Sequence, residues 1–215
     1  MRRRLLFAVA VSAGIGIGLG FGFASRTSSP QAAIVAEASS LPDASWPTGK
    51  RPAPDFALTD QTGAPVSLAR FRGRPVILTF IDPLCRNLCP TEAKILDDVV
   101  AQFPAATRPA IVSVSVNQWG NARHNLLQDE VKWKLPSVWH WAIGPAPALE
   151  SVWKAWNVGV YDQAKTIQGI TVHNITHTEA AYVVDARGNT RALFLYPFRA
   201  SAVADAIRQL AGGAG

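Results

Sequence analysis

A chain of 215 residues, 48% of them hydrophobic, is long enough to bury a sizeable core without covalent staples, and its two cysteines are too few for a small disulfide-built scaffold. The net charge of +6 is partly a terminal tail, because setting aside Arg2, Arg3, Arg4 and Arg26 leaves 17 of the 21 basic residues against 15 acidic ones. Those remaining charges are scattered rather than striped, which excludes nucleic acid as a partner.

Met1-Arg-Arg-Arg4 precedes an uncharged run from Leu5 to Phe23. That run can cross a bilayer, although its glycines make it a weak helix former. The positive-inside rule keeps the arginines in the cytoplasm and sends the rest of the chain outward, as a periplasmic or other extracytoplasmic domain. A cleaved signal peptide competes with this reading, with processing near Phe23-Ala24-Ser25. The run is longer than a usual signal core and lacks a clear A-x-A, so residues 1–24 are expected to be a retained N-terminal membrane anchor. Either way the cysteines face an oxidising compartment. Residues 25–51 are rich in Ala, Ser and Pro and are expected to form a flexible linker, with Trp46 a stray aromatic inside it. Residues 52–215 are the expected folded domain.

Within that domain, Asp55–Asp60 and Val66–Leu68 flank Gln61-Thr-Gly-Ala-Pro65 and predict an N-terminal hairpin. The apolar run Pro75-Val-Ile-Leu-Thr-Phe-Ile81 predicts a strand buried on both faces. It empties into Cys85-Arg-Asn-Leu-Cys89-Pro90. Pro90 suits a first helical position, so Cys89 is expected to cap a helix through Val100, whose positive end favours thiolate over thiol. A β-branched strand at Ala110–Val116, a helix at Ala122–Lys132, a short strand at Val138–Ile143 and a helix at Pro147–Trp156 follow. Ala180–Asp185 and Arg191–Tyr196 bracket Ala186-Arg-Gly-Asn189 as a second hairpin, and Ser201–Ala211 closes the chain as a helix. This alternation predicts an α/β domain with a central mixed sheet.

Thiolates are the side chains that bind Cu(I) best and that exchange disulfides. The Cys85/Cys89 spacing is one residue wider than the C-x-x-C of thiol reductants, which leaves room for both sulfurs to meet on a metal. A structural disulfide across so short a loop would contribute only about 2 kcal/mol in the chain-entropy model. Among the four histidines, His140 between two tryptophans reads as a packing or edge residue, and His124 as a solvated helix position. His173 and His177 stand at i,i+4, but β-branched neighbours and the absence of a Glu after His173 rule out a helical H-E-x-x-H site. The segment reads as a loop leading into the next strand. One of its histidines would complete a Cys₂His set if the fold brings it to the cysteines; a satisfied structural histidine is the alternative.

Several segments occur together in a known order. They are Pro54-Asp55-Phe56-Ala57-Leu58, Arg72-Gly73-Arg74-Pro75-Val76, Cys85-x-x-x-Cys89-Pro90, Trp141-Ala-Ile-Gly144, Val152-Trp-Lys-Ala-Trp-Asn-Val158, and His177-Thr178 before Tyr182-Val-Val-Asp185. In this the chain resembles the SCO/SenC family over roughly Pro52 to Leu210. The resemblance implies a membrane-tethered, thioredoxin-like domain with a central mixed sheet flanked by helices. It also implies a copper chaperone for the copper-bearing subunit of cytochrome c oxidase; because a disulfide offers no thiolates, such a role calls for an extracytoplasmic thiol reductant as partner. Carried over by motif, the copper ligands are Cys85, Cys89 and His177. Soft thiolates hold Cu(I), and an imidazole lets the same site accept Cu(II). The lone Met1 leaves no methionine-rich copper track.

The chain departs from the family at three places. Arg86-Asn87-Leu88 stands where Pro-Asp-x is usual, Asn117-Gln-Trp-Gly-Asn-Ala-Arg123 replaces Asp-Pro-x-Arg-Asp, and Thr176 stands where an Asp often precedes the histidine. The ligands remain, while the groups that orient them change. The rival reading is a membrane-tethered thiol–disulfide oxidoreductase cycling Cys85 and Cys89. A peroxiredoxin site is absent, since its Pro and Thr positions are Leu78 and Asp82. A pure interaction module would rest on Trp153 and Trp156, whose spacing more often marks a core-facing stripe.

Overall fold

The computed structural model describes residues 37–212. The expected anchor and the first part of the expected linker lie outside these residues. Among the described residues no helix is long and apolar enough to cross a membrane.

In chain order the strands and helices are β1 (Ala44–Ser45), β2 (Leu58–Thr59), β3 (Pro65–Val66), β4 (Val76–Ile81), α1 (Leu88–Val100), β5 (Ala110–Ser115), α2 (Arg123–Trp133), β6 (Trp139–Ala142), α3 (Ala146–Ala155), β7 (Val160–Asp162), β8 (Lys165–Ile167), β9 (Ile170–Val172), β10 (Ile175–His177), β11 (Ala180–Val184), β12 (Thr190–Leu195) and α4 (Ala200–Gly212). The central sheet runs β1-β12-β11-β4-β5-β6. Strands β4, β5 and β6 are parallel, whereas β11 is antiparallel to both β4 and β12. The fold is therefore α/β with a mixed sheet, in agreement with the sequence reading. The N-terminal hairpin forms as β2 with β3, though only two residues long on each side.

The run of β4, apolar at every position but the buried Thr79, reads so because both its faces are covered. Ile77 and Ile81 join a core layer with Ala93, Leu96 and Val99 of α1 and Val203 and Ile207 of α4. Val76, Leu78 and Phe80 join the opposite layer with Leu149 and Val152 of α3. The side-chain period of two sends alternate residues of one strand into two separate cores. Trp153 and Trp156 pack against the second layer, which makes them the core-facing stripe and not a free docking face.

Three local readings are corrected. Helix α1 begins one residue before Cys89, with Asn87 as its cap, because the Asn87 side chain accepts the Leu88 N–H at 2.7 Å; Asn is among the strongest capping residues. Pro90 then sits further inside the first turn, where the N–H it lacks has no intrahelical partner anyway. The stretch around His173 and His177 is not a plain loop. It closes a ribbon in which β10 pairs with β7, and β8 with β9 forms an outer hairpin. The β-branched residues Ile170, Thr171, Val172, Ile175 and Thr176 suit such extended pairing. The third is at the sheet edge: Ala44 and Ser45 add a short strand against β12, within the segment read as a tether, and the guanidinium of Arg51 lies 4.0 Å over the Trp46 ring.

Candidate metal centre

The carboxyl end of β4 and the start of β11 lie side by side because these strands are antiparallel neighbours. Their register pairs Ala181 with Thr79 and Tyr182 with Leu78. Continued backwards, it sets Glu179 level with Ile81 and His177 level with Pro83, where β4 opens into the cysteine loop. Sheet pairing thus brings residue 177 to residues 85 and 89 across almost ninety positions of chain. A cleft of about 730 Å³ opens there, lined by Asp82, Cys85, Asn87, His173, His177 and Glu179 among others.

The two thiols differ sharply. Cys89 is buried and Cys85 is half-exposed. The Cys89 N–H donates to the Cys85 sulfur at 3.3 Å. The hydrogen bond with the Cys89 thiol, helped by backbone N–H groups at the start of α1, lowers the Cys85 thiol to about 5 despite burial. The same bond, with burial and the neighbouring negative charge, pushes Cys89 up. Cys85 is the ready thiolate; Cys89 holds its proton until a better partner arrives.

His177 is oriented by its own neighbour. Its Nδ1 lies 3.2 Å from the Thr178 carbonyl. A carbonyl only accepts, so the proton is on Nδ1 and Nε2 carries the free lone pair. The orientation expected from an Asp at position 176 comes here from the backbone. Burial lowers the His177 pKa below its ordinary value, which keeps the ring neutral, the form that binds metals. Donor atoms of Cys89, His177 and Glu179 all lie within 4.8 Å of one another, and Cys85 sits beside that set rather than within it. Two thiols, a neutral imidazole with its lone pair directed inward and a carboxyl match the donors that copper takes.

His173 is committed elsewhere. Its Nδ1 meets Asp162 Oδ2 at 2.7 Å, and its ring stacks on Trp119 at 3.5 Å between centroids. It is half-buried between these partners, a satisfied structural histidine. His140 on the edge strand β6 packs against Phe71, and His124 is exposed on α2, both as expected.

Two acidic residues escaped the sequence reading. Glu179 is buried to 16% side-chain exposure, and burial followed by the charge of Cys85 raises it to about 7. Glu92, one turn after Cys89, is fully buried and receives the Thr79 hydroxyl; burial raises it to about 8. The available signal for Glu179 was its i,i+2 relation to His177, since residues two apart in extended chain share a face.

The family described as SCO1/SenC matches residues 47–212. No curated protein matches the chain. Among solved structures, ScoI of Bradyrhizobium japonicum with copper bound is 19% identical, with a TM-score of 0.62 over 74% of this chain and 98% of that one. Yeast Sco1 with copper bound is 13% identical, with a TM-score of 0.67 over 77% and 91%. BsSco, described as a member of the Sco family of cytochrome c oxidase assembly proteins with a disulfide switch, is 18% identical, with a TM-score of 0.59 over 76% and 95%. These likenesses establish a shared thioredoxin-like fold.

Proposed function

The chain belongs to the SCO1/SenC family, and from that premise we propose that it is an extracytoplasmic copper chaperone that carries copper on Cys85, Cys89 and His177 and serves assembly of the copper centre of cytochrome c oxidase. The observation that carries the reading is the meeting of a buried thiol, Cys89, with the imidazole of His177, donor atoms within 4.8 Å, beside the low-pKa thiol of Cys85. Copper is the cargo. Two sulfurs suit Cu(I) and the imidazole makes Cu(II) acceptable. B. japonicum ScoI and yeast Sco1 are known with copper bound, and BsSco is described as belonging to an oxidase-assembly family.

The protein's own groups prepare the site. The Cys89 thiol, with the backbone N–H groups of the helix start, holds Cys85 as thiolate, the Thr178 carbonyl fixes the imidazole tautomer, and burial keeps competing protons off Nε2. In this reading residues 1–24 tether the protein to the membrane, residues 25–51 join that tether to the domain, with Ala44–Arg51 already packed on it, and residues 52–215 meet the oxidase subunit. A disulfide offers no thiolates, so an extracytoplasmic thiol reductant is a required partner. The test is metal content of the full chain after exposure to copper. One copper per chain is expected with both thiols reduced, and far less once they are oxidised. Equal uptake in both states overturns the reading.

One observation favours a second function. A half-exposed, low-pKa Cys85 backed by a buried, high-pKa Cys89 is the arrangement of an attacking and a resolving thiol. Turnover of disulfide substrates by copper-free protein would assign the chain as a thiol–disulfide oxidoreductase.

A further inference from the structure

Glu179 is a long acidic side chain placed where an acid is costly. Its carbonyl accepts the Tyr196 N–H, which anchors the backbone beside the sheet. The adjoining Thr178 N–H is likewise held by the Gly159 carbonyl. With both flanks tied down, the alternation of extended chain sends the side chains of His177 and Glu179 to the same side, into the cleft. The carboxyl is therefore delivered by the backbone and does not reach the site through side-chain flexibility.

The atoms it meets there are acceptors. His177 Nε2 and Glu179 Oε1 lie 3.9 Å apart, and because Nδ1 holds the ring proton against the Thr178 carbonyl, Nε2 faces the carboxyl with a lone pair. The second oxygen, Oε2, is buried without a hydrogen-bond partner. A buried carboxyl with an unpartnered oxygen is destabilising unless something electropositive completes it. Two donors that each sit about 2 Å from one metal ion can be at most about 4 Å apart, and the 3.9 Å between Oε1 and Nε2 falls within that span. The Cys89 sulfur belongs to the same convergent set.

We infer that Glu179 is an additional, oxygen ligand of the copper site, engaged by Cu(II) and dispensable for Cu(I). This rests on the copper reading proposed above and deepens it. Carboxylate suits the harder Cu(II), whereas Cu(I) is satisfied by the two sulfurs. The chain thereby gains an anionic ligand that favours the oxidised ion at a site where, by sequence, the usual acidic neighbours at positions 117 and 176 are missing.

The experiment loads the full chain, with thiols reduced and oxygen excluded, separately with Cu(I) and Cu(II). Glu179→Gln, which keeps the side-chain volume, and Glu179→Ala, which removes both oxygens, are expected to weaken Cu(II) binding by about tenfold or more while changing Cu(I) binding by less than about threefold. They should also shift the g and hyperfine values of the Cu(II) electron paramagnetic resonance spectrum. Wild-type chain carrying ¹³C at its glutamate carboxyls gives a readout that needs no variant, namely a strong ¹³C coupling to Cu(II). Unchanged Cu(II) affinity and spectrum in folded variants, or no ¹³C coupling in the wild type, overturns the ligand assignment while leaving copper binding intact. Wild-type chain that binds no copper overturns the underlying reading as well.

Discussion

The backbone N–H of Cys89 donates to the sulfur of Cys85 across 3.3 Å, and together with the bond between the two thiols it sets their acidities apart. Cys85 is lowered to about 5 by its hydrogen bond with Cys89 and by backbone donors. Alkylation of the reduced protein should therefore label Cys85 with a midpoint near pH 5 and leave buried Cys89 unlabelled up to neutral pH. Cys89→Ser, which replaces the thiol donor with a weaker-acid hydroxyl at slightly different reach, should move that midpoint upward. Mass spectrometry of the labelled peptide reads both effects. Labelling of Cys85 that begins only above pH 8 would refute the thiolate assignment.

Glu92 gives the fold a pH dependence of unusual sign. Burial raises its carboxyl from 4.5 to about 8, the charges of Glu179 and Cys85 push the same way, and the Thr79 hydroxyl opposes them. Because the folded pKa lies above the unfolded one, this group's stabilising contribution is complete below pH 4.5 and is lost as pH rises through about 8. Over that window a single such group costs roughly 1.4 kcal/mol per pH unit. Urea unfolding between pH 5 and 8 should show Glu92→Gln losing less stability than wild type as pH increases. Parallel pH profiles for the two proteins would show that Glu92 is not held neutral.

The two histidines of the ribbon should separate cleanly. His177→Ala is expected to abolish the Cu(II) charge-transfer spectrum while keeping part of the Cu(I) binding, since two thiolates remain. His173→Ala should leave copper binding nearly unchanged and instead alter Trp119 fluorescence, because it removes the ring stacked at 3.5 Å. Exchange of these two phenotypes would mean that the ribbon presents the other histidine to copper.

Asn87 links the cysteine loop to its helix. Its Oδ1 accepts the Leu88 N–H at 2.7 Å and lies 3.1 Å from the Cys85 sulfur. Asn87→Ala should lower stability by about 1 kcal/mol, the usual cost of losing a cap, with the midpoint of urea unfolding as the measure. An unchanged midpoint would show that the cap carries no net stability.

The cysteine pair was legible because everything that defines it is contiguous: an apolar strand, two thiols four positions apart, a proline and a helix. The strands of the central sheet were legible for a similar reason. A run such as Val76–Ile81, apolar at every position but Thr79, arises when both faces are buried, and both are. The small ribbon was harder, since β7 to β10 are three residues each and mostly exposed, and such short pieces carry too few residues to show a period. His173 illustrates the limit. Its partners, Asp162 and Trp119, come from β7 and from the turn before α2, and nothing in the neighbouring residues announces either.

By itself, then, the sequence determined the α/β alternation, the thiol pair and, through its motifs, which family the chain resembles. Hydrophobic periodicity and local spacing are properties of adjacent residues, and they survive in one dimension. Only the tertiary structure decided that Asn87 rather than Cys89 caps the helix, that the Thr178 carbonyl and not an aspartate orients His177, and that Glu179 joins the donor set. Those outcomes depend on the antiparallel register of β11 against β4, which carries residues 177–179 to the mouth of the cysteine loop. Register is a long-range agreement between two strands, and it is settled by how their faces fill the two cores on either side of the sheet.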